Sequence, residues 1–259
     1  MGVDMGKSEL ESSELKQYAR HLSLPGWGKA GQKKLKNTAV LIVGVGGLGT
    51  IASLYLVAAG VGRIGLVDED LVSLSNLQRQ ILFTINDIGQ SKIPLAEKRL
   101  MEHNPHIHLQ SYPRLLTKEN AASLIEEYDI VIDGTDNFTA RSIINECCVK
   151  FDKPYIHGAV NGFDGQLSVF HATRGPCFRC LFPEPSSSKS EPICEHFSVL
   201  NTVPAIIGTL QATQALKLIL GVGEPLVGQL LIFNALDLSF NFYEIPKKEQ
   251  CQTCGNKDD

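Results

Sequence analysis

One stretch limits the fold of this chain more than any other: Thr38 to Gly62, TAVLIVGVGGLGTIASLYLVAAGVG, which carries no charge. It is long enough to cross a bilayer, but glycines at 44, 46, 47 and 49 interrupt it and its halves differ in character. AVLIV is β-branched and strand-like, while TIASLYLVAA is helix-compatible, so strand, tight turn and buried helix is the reading that fits both. Gly44, Gly46 and Gly49 stand in the GxGxxG register, with Gly47 added. Such a turn lets backbone N–H groups approach a phosphate, and the following helix N-terminus adds a favourable dipole. Asp68, at the end of the next strand, falls where an acidic residue holds ribose hydroxyls. The same glycines would also serve close strand–helix packing with no ligand at all, and the sequence leaves that alternative standing.

The rest of the first half keeps the same rhythm. A helix is expected at 50–59, a strand over RIGLVDED, and a helix over SKIPLAEKRLMEHN, whose Pro94 comes early enough to be tolerated. IHLQSY reads as a strand, Thr117 as the cap of a helix to about Glu127, YDIVIDGTDN as a strand running into a turn, and 138–150 as a helix. This alternation predicts an α/β fold, a Rossmann-like and mostly parallel sheet with helices on both faces. After residue 155 the rhythm changes to strand, turn, strand, then a helix at 204–220 stopped by Gly221 and a terminal hairpin over GQLLIFNALDLSFNFYEI. Antiparallel strands are therefore expected to continue the same sheet. Upstream, a short helix over 13–21 behind Ser13 and a tether, LSLPGWGKAGQ, are expected.

A dinucleotide-dependent oxidoreductase is the first reading of the glycine-rich turn, and the residues after it argue for a different ligand. DEDLVSLSNLQRQILF supplies Ser75, Asn76 and Arg79, and DIGQSK supplies Lys92. Two cations and an amide behind the second strand suit a triphosphate better than a nicotinamide ring, since Arg forks phosphate oxygens and Lys acts as a point charge. IDGTDN puts Asp133 and Asp136 at the C-terminal end of a later strand, the edge at which open α/β sheets bind ligands. A carboxylate there can hold Mg²⁺ against phosphates. Singly, these are solvated charges and turn formers; together they point to a nucleotide.

Cysteine usage adds a second centre. PCFRCLF gives Cys177 and Cys180, and QCQTCGN gives Cys251 and Cys254. Two CxxC turns make a tetrahedral four-cysteine zinc site if folding brings them together across the 70 intervening residues. Two redox dithiols, or unpaired thiols, are the alternatives. Cys194 stands alone, in EPSSSKSEPICEHFSVLN, a run that reads as an exposed loop; a thiol nucleophile and a small hydrophobe rooting the loop both fit it. The net charge of −4 speaks against a nucleic-acid surface. With no apolar signal region at the N-terminus and no membrane span, a cytoplasmic protein with reduced thiols is expected.

With GVGGLG, LVDEDLVSLSNLQRQILF, IGQSK, DGTDN and both CxxC pairs assembled, the chain closely resembles the ThiF/MoeB/HesA family of adenylyltransferases, related to ubiquitin-activating enzymes. The resemblance runs from about Tyr18 to Gly255. It implies a homodimer with an eight-stranded sheet, Mg-ATP as substrate, a structural zinc, and adenylylation of the Gly-Gly carboxylate of a ubiquitin-like sulfur carrier protein in thiamine or molybdopterin biosynthesis. On that resemblance Gly47 lies against the nucleotide, Asp68 binds ribose, and Asn76, Arg79 and Lys92 hold the phosphates. Asp136 is the metal-binding carboxylate with Asn137 beside it, and Arg20 reaches the partner subunit's ATP. Cys194 takes the position of a cysteine that forms an acyl-disulfide in some members and is dispensable in others. The sequence departs from the family at His21, where Gln is common, and at EHFS, where small residues are common. The expected organisation is one domain: 1–37 an N-terminal helix and tether, 38–150 a nucleotide-binding half, and 151–259 a carrier-binding and zinc half. A nicotinamide-dependent oxidoreductase would leave Arg79, Lys92 and the cysteine pairs idle. A tRNA-modifying dehydratase of the same fold lacks this pair of CxxC motifs.

Overall fold

A computed structural model describes residues 9–183 and 198–255. Eight strands form one sheet in the order β3-β2-β1-β4-β5-β6-β7-β8. They are β1 (Ala39–Val43), β2 (Arg63–Val67), β3 (His108–Tyr112), β4 (Ile130–Asp133), β5 (Tyr155–Asn161), β6 (Asp164–Phe170), β7 (Gln229–Asn234) and β8 (Ser239–Glu244). The first five in space are mutually parallel, and β6, β7 and β8 run antiparallel from β5 outward. The switch follows from the connections: a helix carries the chain back between parallel strands, whereas the short turns after β5 and β7 allow only hairpins.

Nine helices cover the sheet among the described residues: α1 (Ser12–Gln17), α2 (Ala19–Leu22), α3 (Gly28–Lys36), α4 (Gly49–Ala59), α5 (Lys92–His103), α6 (Lys118–Glu126), α7 (Phe138–Lys150), α8 (Phe178–Leu181) and α9 (Thr202–Leu220). Every residue of β1 is buried because both faces are covered, Val40 and Ile42 by the core that holds α4, α5 and α9, and Ala39, Leu41 and Val43 by the core of α6 and α7. Helix α9 is long and apolar enough to cross a membrane by composition, yet it packs on α4, β5 and β6 with half of that apolar span buried. Its Gly208 comes so close to the turn after β1 that a Cβ would sit 2.6 Å from the Leu48 carbonyl oxygen.

Two N-terminal expectations are corrected. The helix over 13–21 is two helices broken at Tyr18, with Glu11 rather than Ser13 at the N-cap. Tyr18 is buried and its hydroxyl accepts from Asn104 Nδ2 at 2.7 Å, a tertiary anchor that turns the chain there. The tether contains α3, which buries Gly31, Gln32 and Leu35 on one side. Gln32 Nε2 donates to the Ala59 carbonyl at 2.8 Å and so satisfies the end of α4.

Candidate functional site

The four glycines of the turn after β1 have different jobs. Gly44 has φ +87°, and a Cβ there would lie 2.7 Å from the Gly134 carbonyl oxygen; at Gly49 a Cβ would lie 1.9 Å from the Gly44 carbonyl oxygen. Packing alone explains both. At Gly46 the nearest atom to a Cβ would be Gln80 Nε2 at 3.6 Å, an ordinary contact, so packing does not ask for glycine there. Gly47 is intermediate, with Pro204 Cβ at 3.0 Å and Arg79 Cγ at 3.3 Å. The open backbone therefore lies at Gly46, just ahead of the start of α4.

Charged groups gather round it. Asp68, beyond the end of β2, accepts the Val45 N–H at 2.7 Å and the Asp70 N–H at 2.8 Å, so the carboxylate is tied to the turn. Lys92, the first residue of α5, is buried; its Nζ lies 2.7 Å from Asp70 Oδ2 and 3.9 Å from Asp68 Oδ2. Arg79 lays its side chain along Gly47 and donates through Nη1 to the Ser75 carbonyl at 3.1 Å. Asn76 closes a short helical turn by accepting the Ser73 N–H, and its carbonyl accepts the N–H groups of Arg79 and Gln80. Ser75 is exposed on the same turn. Gln80, which sequence reasoning passed over, is buried beside Gly46 with its Oε1 unpartnered. The signal was its place next to Arg79; its burial was invisible in sequence.

The turn after β4 separates the two carboxylates of IDGTDN. Asp133 is completely buried: Oδ1 accepts the N–H and hydroxyl of Thr135 at 2.8 and 2.6 Å, and Oδ2 accepts the Tyr155 hydroxyl at 2.8 Å. His157 Nδ1 is 3.1 Å and Arg141 Nε 3.4 Å from the same Oδ2. Burial pushes this carboxyl up, but the hydrogen bond from His157 and the Arg141 charge hold it below the ordinary range. Burial likewise pushes the His157 imidazole down against the pull of Asp133, so the pair is a carboxylate and a neutral imidazole with its proton on Nδ1. Asp133 is thus an internal anchor and no metal ligand, because its lone pairs are already taken. Asp136, three residues on, is exposed at the sheet edge and free of that network. Asn137 caps α7, its Oδ1 accepting the Ala140 N–H at 2.9 Å. Gln211 of α9 ties the same edge down by donating to the Asp133 carbonyl at 2.7 Å.

The two CxxC pairs meet. Sγ of Cys177 and Cys251 are 3.7 Å apart, and those of Cys180 and Cys254 are 3.5 Å apart, with all four sulfurs within 4.8 Å of one another. These are not disulfides, whose S–S bond is about 2 Å. Four thiolates at about 2.3 Å from a tetrahedral zinc stand about 3.8 Å from one another, so the set fits zinc and could hold it. The Lys248 N–H lies 3.5 Å from Cys180 Sγ. Arg20 is exposed on α2, which packs on α1 and α3, and His21 stacks on Trp27 at 4.3 Å. Cys194 lies in residues 184–197, outside the described residues.

A glycine-turn site at the carboxyl ends of parallel strands, with a separate four-cysteine cluster that could hold a metal, defines a nucleotide-binding α/β protein. The ThiF family profile matches residues 18–254, and the chain belongs to that family. A sulfur carrier protein adenylyltransferase of Thermus thermophilus is 44% identical over 249 residues, 94% of this chain and 92% of that protein. A probable molybdopterin-synthase adenylyltransferase of Porphyra purpurea is 45% identical over 233 residues, 90% of this chain and 61% of that one. The adenylyltransferase and sulfurtransferase MOCS3-1 of Zea mays is 43% identical over 247 residues, 95% of this chain and 53% of that one. The chain thus spans nearly all of the first relative and only about half to three-fifths of the other two. Among solved structures, Escherichia coli MccB with ATP shares the fold, with a TM-score of 0.83 at 25% identity over 96% of this chain and 76% of that one.

Proposed function

We propose that this protein uses ATP to adenylylate the C-terminal Gly-Gly carboxylate of a ubiquitin-like sulfur carrier protein, releasing pyrophosphate. The observation that carries the nucleotide is the bare backbone at Gly46, beside the unpartnered buried oxygen of Gln80 and ringed by Asp68, Arg79 and Lys92. Its likeness to the Thermus protein over almost the whole of both chains supports the carrier as second substrate.

In this reading the carrier carboxylate attacks the α-phosphorus and pyrophosphate departs. The transition state needs positioning and charge neutralisation more than a covalent catalyst. Gly46 and Gly47 present N–H groups to the phosphates, Arg79 forks their oxygens, and Lys92 supplies a point charge once it turns from Asp70. Asp68 takes the ribose hydroxyls while the Val45 N–H holds it in place. Asp136, exposed at the strand edge, is the carboxylate that would hold Mg²⁺, which supplies further neutralisation when bound. Asn137, already the cap of α7, orients that turn. Arg20 completes the site of the partner subunit in a cytoplasmic homodimer, and residues 151–259 receive the carrier. Zinc at Cys177, Cys180, Cys251 and Cys254 is structural, since four sulfurs leave no open position.

Replacing Asp136 with Ala is expected to cut carrier-dependent ATP–pyrophosphate exchange by on the order of 10²–10³ with thermal unfolding unchanged. Exchange at the wild-type rate would remove Asp136 from the mechanism.

A further inference from the structure

Asn145 lies in α7, 1% exposed, and spends its whole amide on the first CxxC turn. Its Oδ1 accepts the Phe178 N–H at 2.9 Å, and its Nδ2 lies 3.8 Å from Cys177 Sγ. The orientation is forced by chemistry: a backbone N–H only donates, so the oxygen must face it and the NH₂ must face the sulfur. A buried amide without partners would cost several kcal/mol; here both ends are used, on the residue that opens α8 and on one of the four sulfurs. Cys180 has a counterpart in the Lys248 N–H. Cys177 takes a donor from a side chain as well, and from the helix that begins just after Asp136.

We infer that Asn145 is a positioning residue of the cysteine centre: it fixes the α8 turn through Phe178 and holds the Cys177 sulfur in place by donating to it once that thiol has given up its proton to become a metal-bound thiolate. Hydrogen bonds to charged acceptors are about twice as strong as neutral ones, so the contact strengthens as the metal binds. The inference rests on the cysteines being a metal centre and does not depend on adenylylation.

Asn145→Asp tests it, because that change keeps the oxygen for Phe178 and replaces the donor facing sulfur with a second oxygen. The full-length protein is loaded with zinc, and zinc loss to a coloured chelator is timed; a cobalt-loaded sample gives the thiolate-to-cobalt charge-transfer band. The expected result is zinc loss faster by about 10–100-fold, with a shifted band. Asn104→Asp is the control, a buried asparagine that holds Tyr18 and the Val57 carbonyl well away from the cysteines. Equal acceleration in both variants would make the effect general loosening and overturn the inference, as would an unchanged rate and band in Asn145→Asp. Should that variant not fold, Asn145→Ser gives the same reading without a buried charge, and wild-type zinc retention in it overturns the proposal. Wild-type protein that takes up no zinc or cobalt would instead remove the metal centre itself.

Discussion

The glycine-rich turn and the cysteine centre are built on opposite plans. The first is backbone: N–H groups at the end of β1, backed by side chains from the segment between the end of β2 and the start of α5, all within residues 44–92. The second is side chain: four sulfurs from segments 70 residues apart, with only the four-residue α8, capped by Cys177 and carrying Cys180, as regular structure. A backbone site is framed by helices and strands that fold for their own reasons. A site made of four side chains on irregular chain depends on what it binds, because a helix that short does not stand alone.

The largest way to break this contrast is at Asp133, which joins the two regions. It anchors the turn that carries Asp136, and it holds His157, whose ring packs 5.4 Å from that of Phe178 next to Cys177. Asp133→Ala leaves Arg141, Tyr155, Thr135 and His157 without their acceptor. Urea unfolding should show a loss of about 3–5 kcal/mol, and a loss below about 1 kcal/mol would mean the two regions are independent.

A sharper cut separates the glycines. Gly49→Ala drives a methyl into the Gly44 carbonyl and should cost about 1–3 kcal/mol or more by the same measurement. Gly46→Ala has room, so stability should move by about 0.5 kcal/mol or less while ATP affinity falls about tenfold by isothermal titration, a loss of about 1.4 kcal/mol. Unchanged affinity in Gly46→Ala would remove the bare backbone at Gly46 as the phosphate contact.

The smallest effect is on pH dependence. His157 and Asp133 both release protons more readily folded than unfolded, so the unfolded chain takes up more protons on acidification and stability is lost as the pH is lowered. The His157 part is complete above about pH 6.5 and is lost as pH drops from there through its lowered folded value. The Asp133 part follows below about pH 4. His157→Gln should flatten the upper slope, which cannot exceed about 1.4 kcal/mol per pH unit for one proton. Urea midpoints between pH 5 and 8 that keep their wild-type slope would exclude His157 as its source.

Much of the architecture was readable because its strands are buried on both faces and helices must alternate with them. The helix at 138–150 matched its expected limits, since Asn137 is a cap whose chemistry is local. The helix α3 was not readable, because GWGKAG is full of breakers and its stability comes from Leu35 entering the core, from Gln32 bonding the end of α4 and from Gly31 lying against Leu220 of α9. The break at Tyr18 has the same origin, a hydroxyl held by a residue 86 positions away.

The sequence by itself determined the family, the mixed sheet and the short list of charged residues, because those depend on residue type and spacing along the chain. Only the tertiary structure decided what each member of that list can do. Burial spent Asp133 internally and left Asp136 exposed, close packing claimed Gly44 and Gly49 but not Gly46, and the approach of two distant segments brought four cysteines into one cluster. Desolvation and contact distance are properties of the folded chain, and no local pattern carries them.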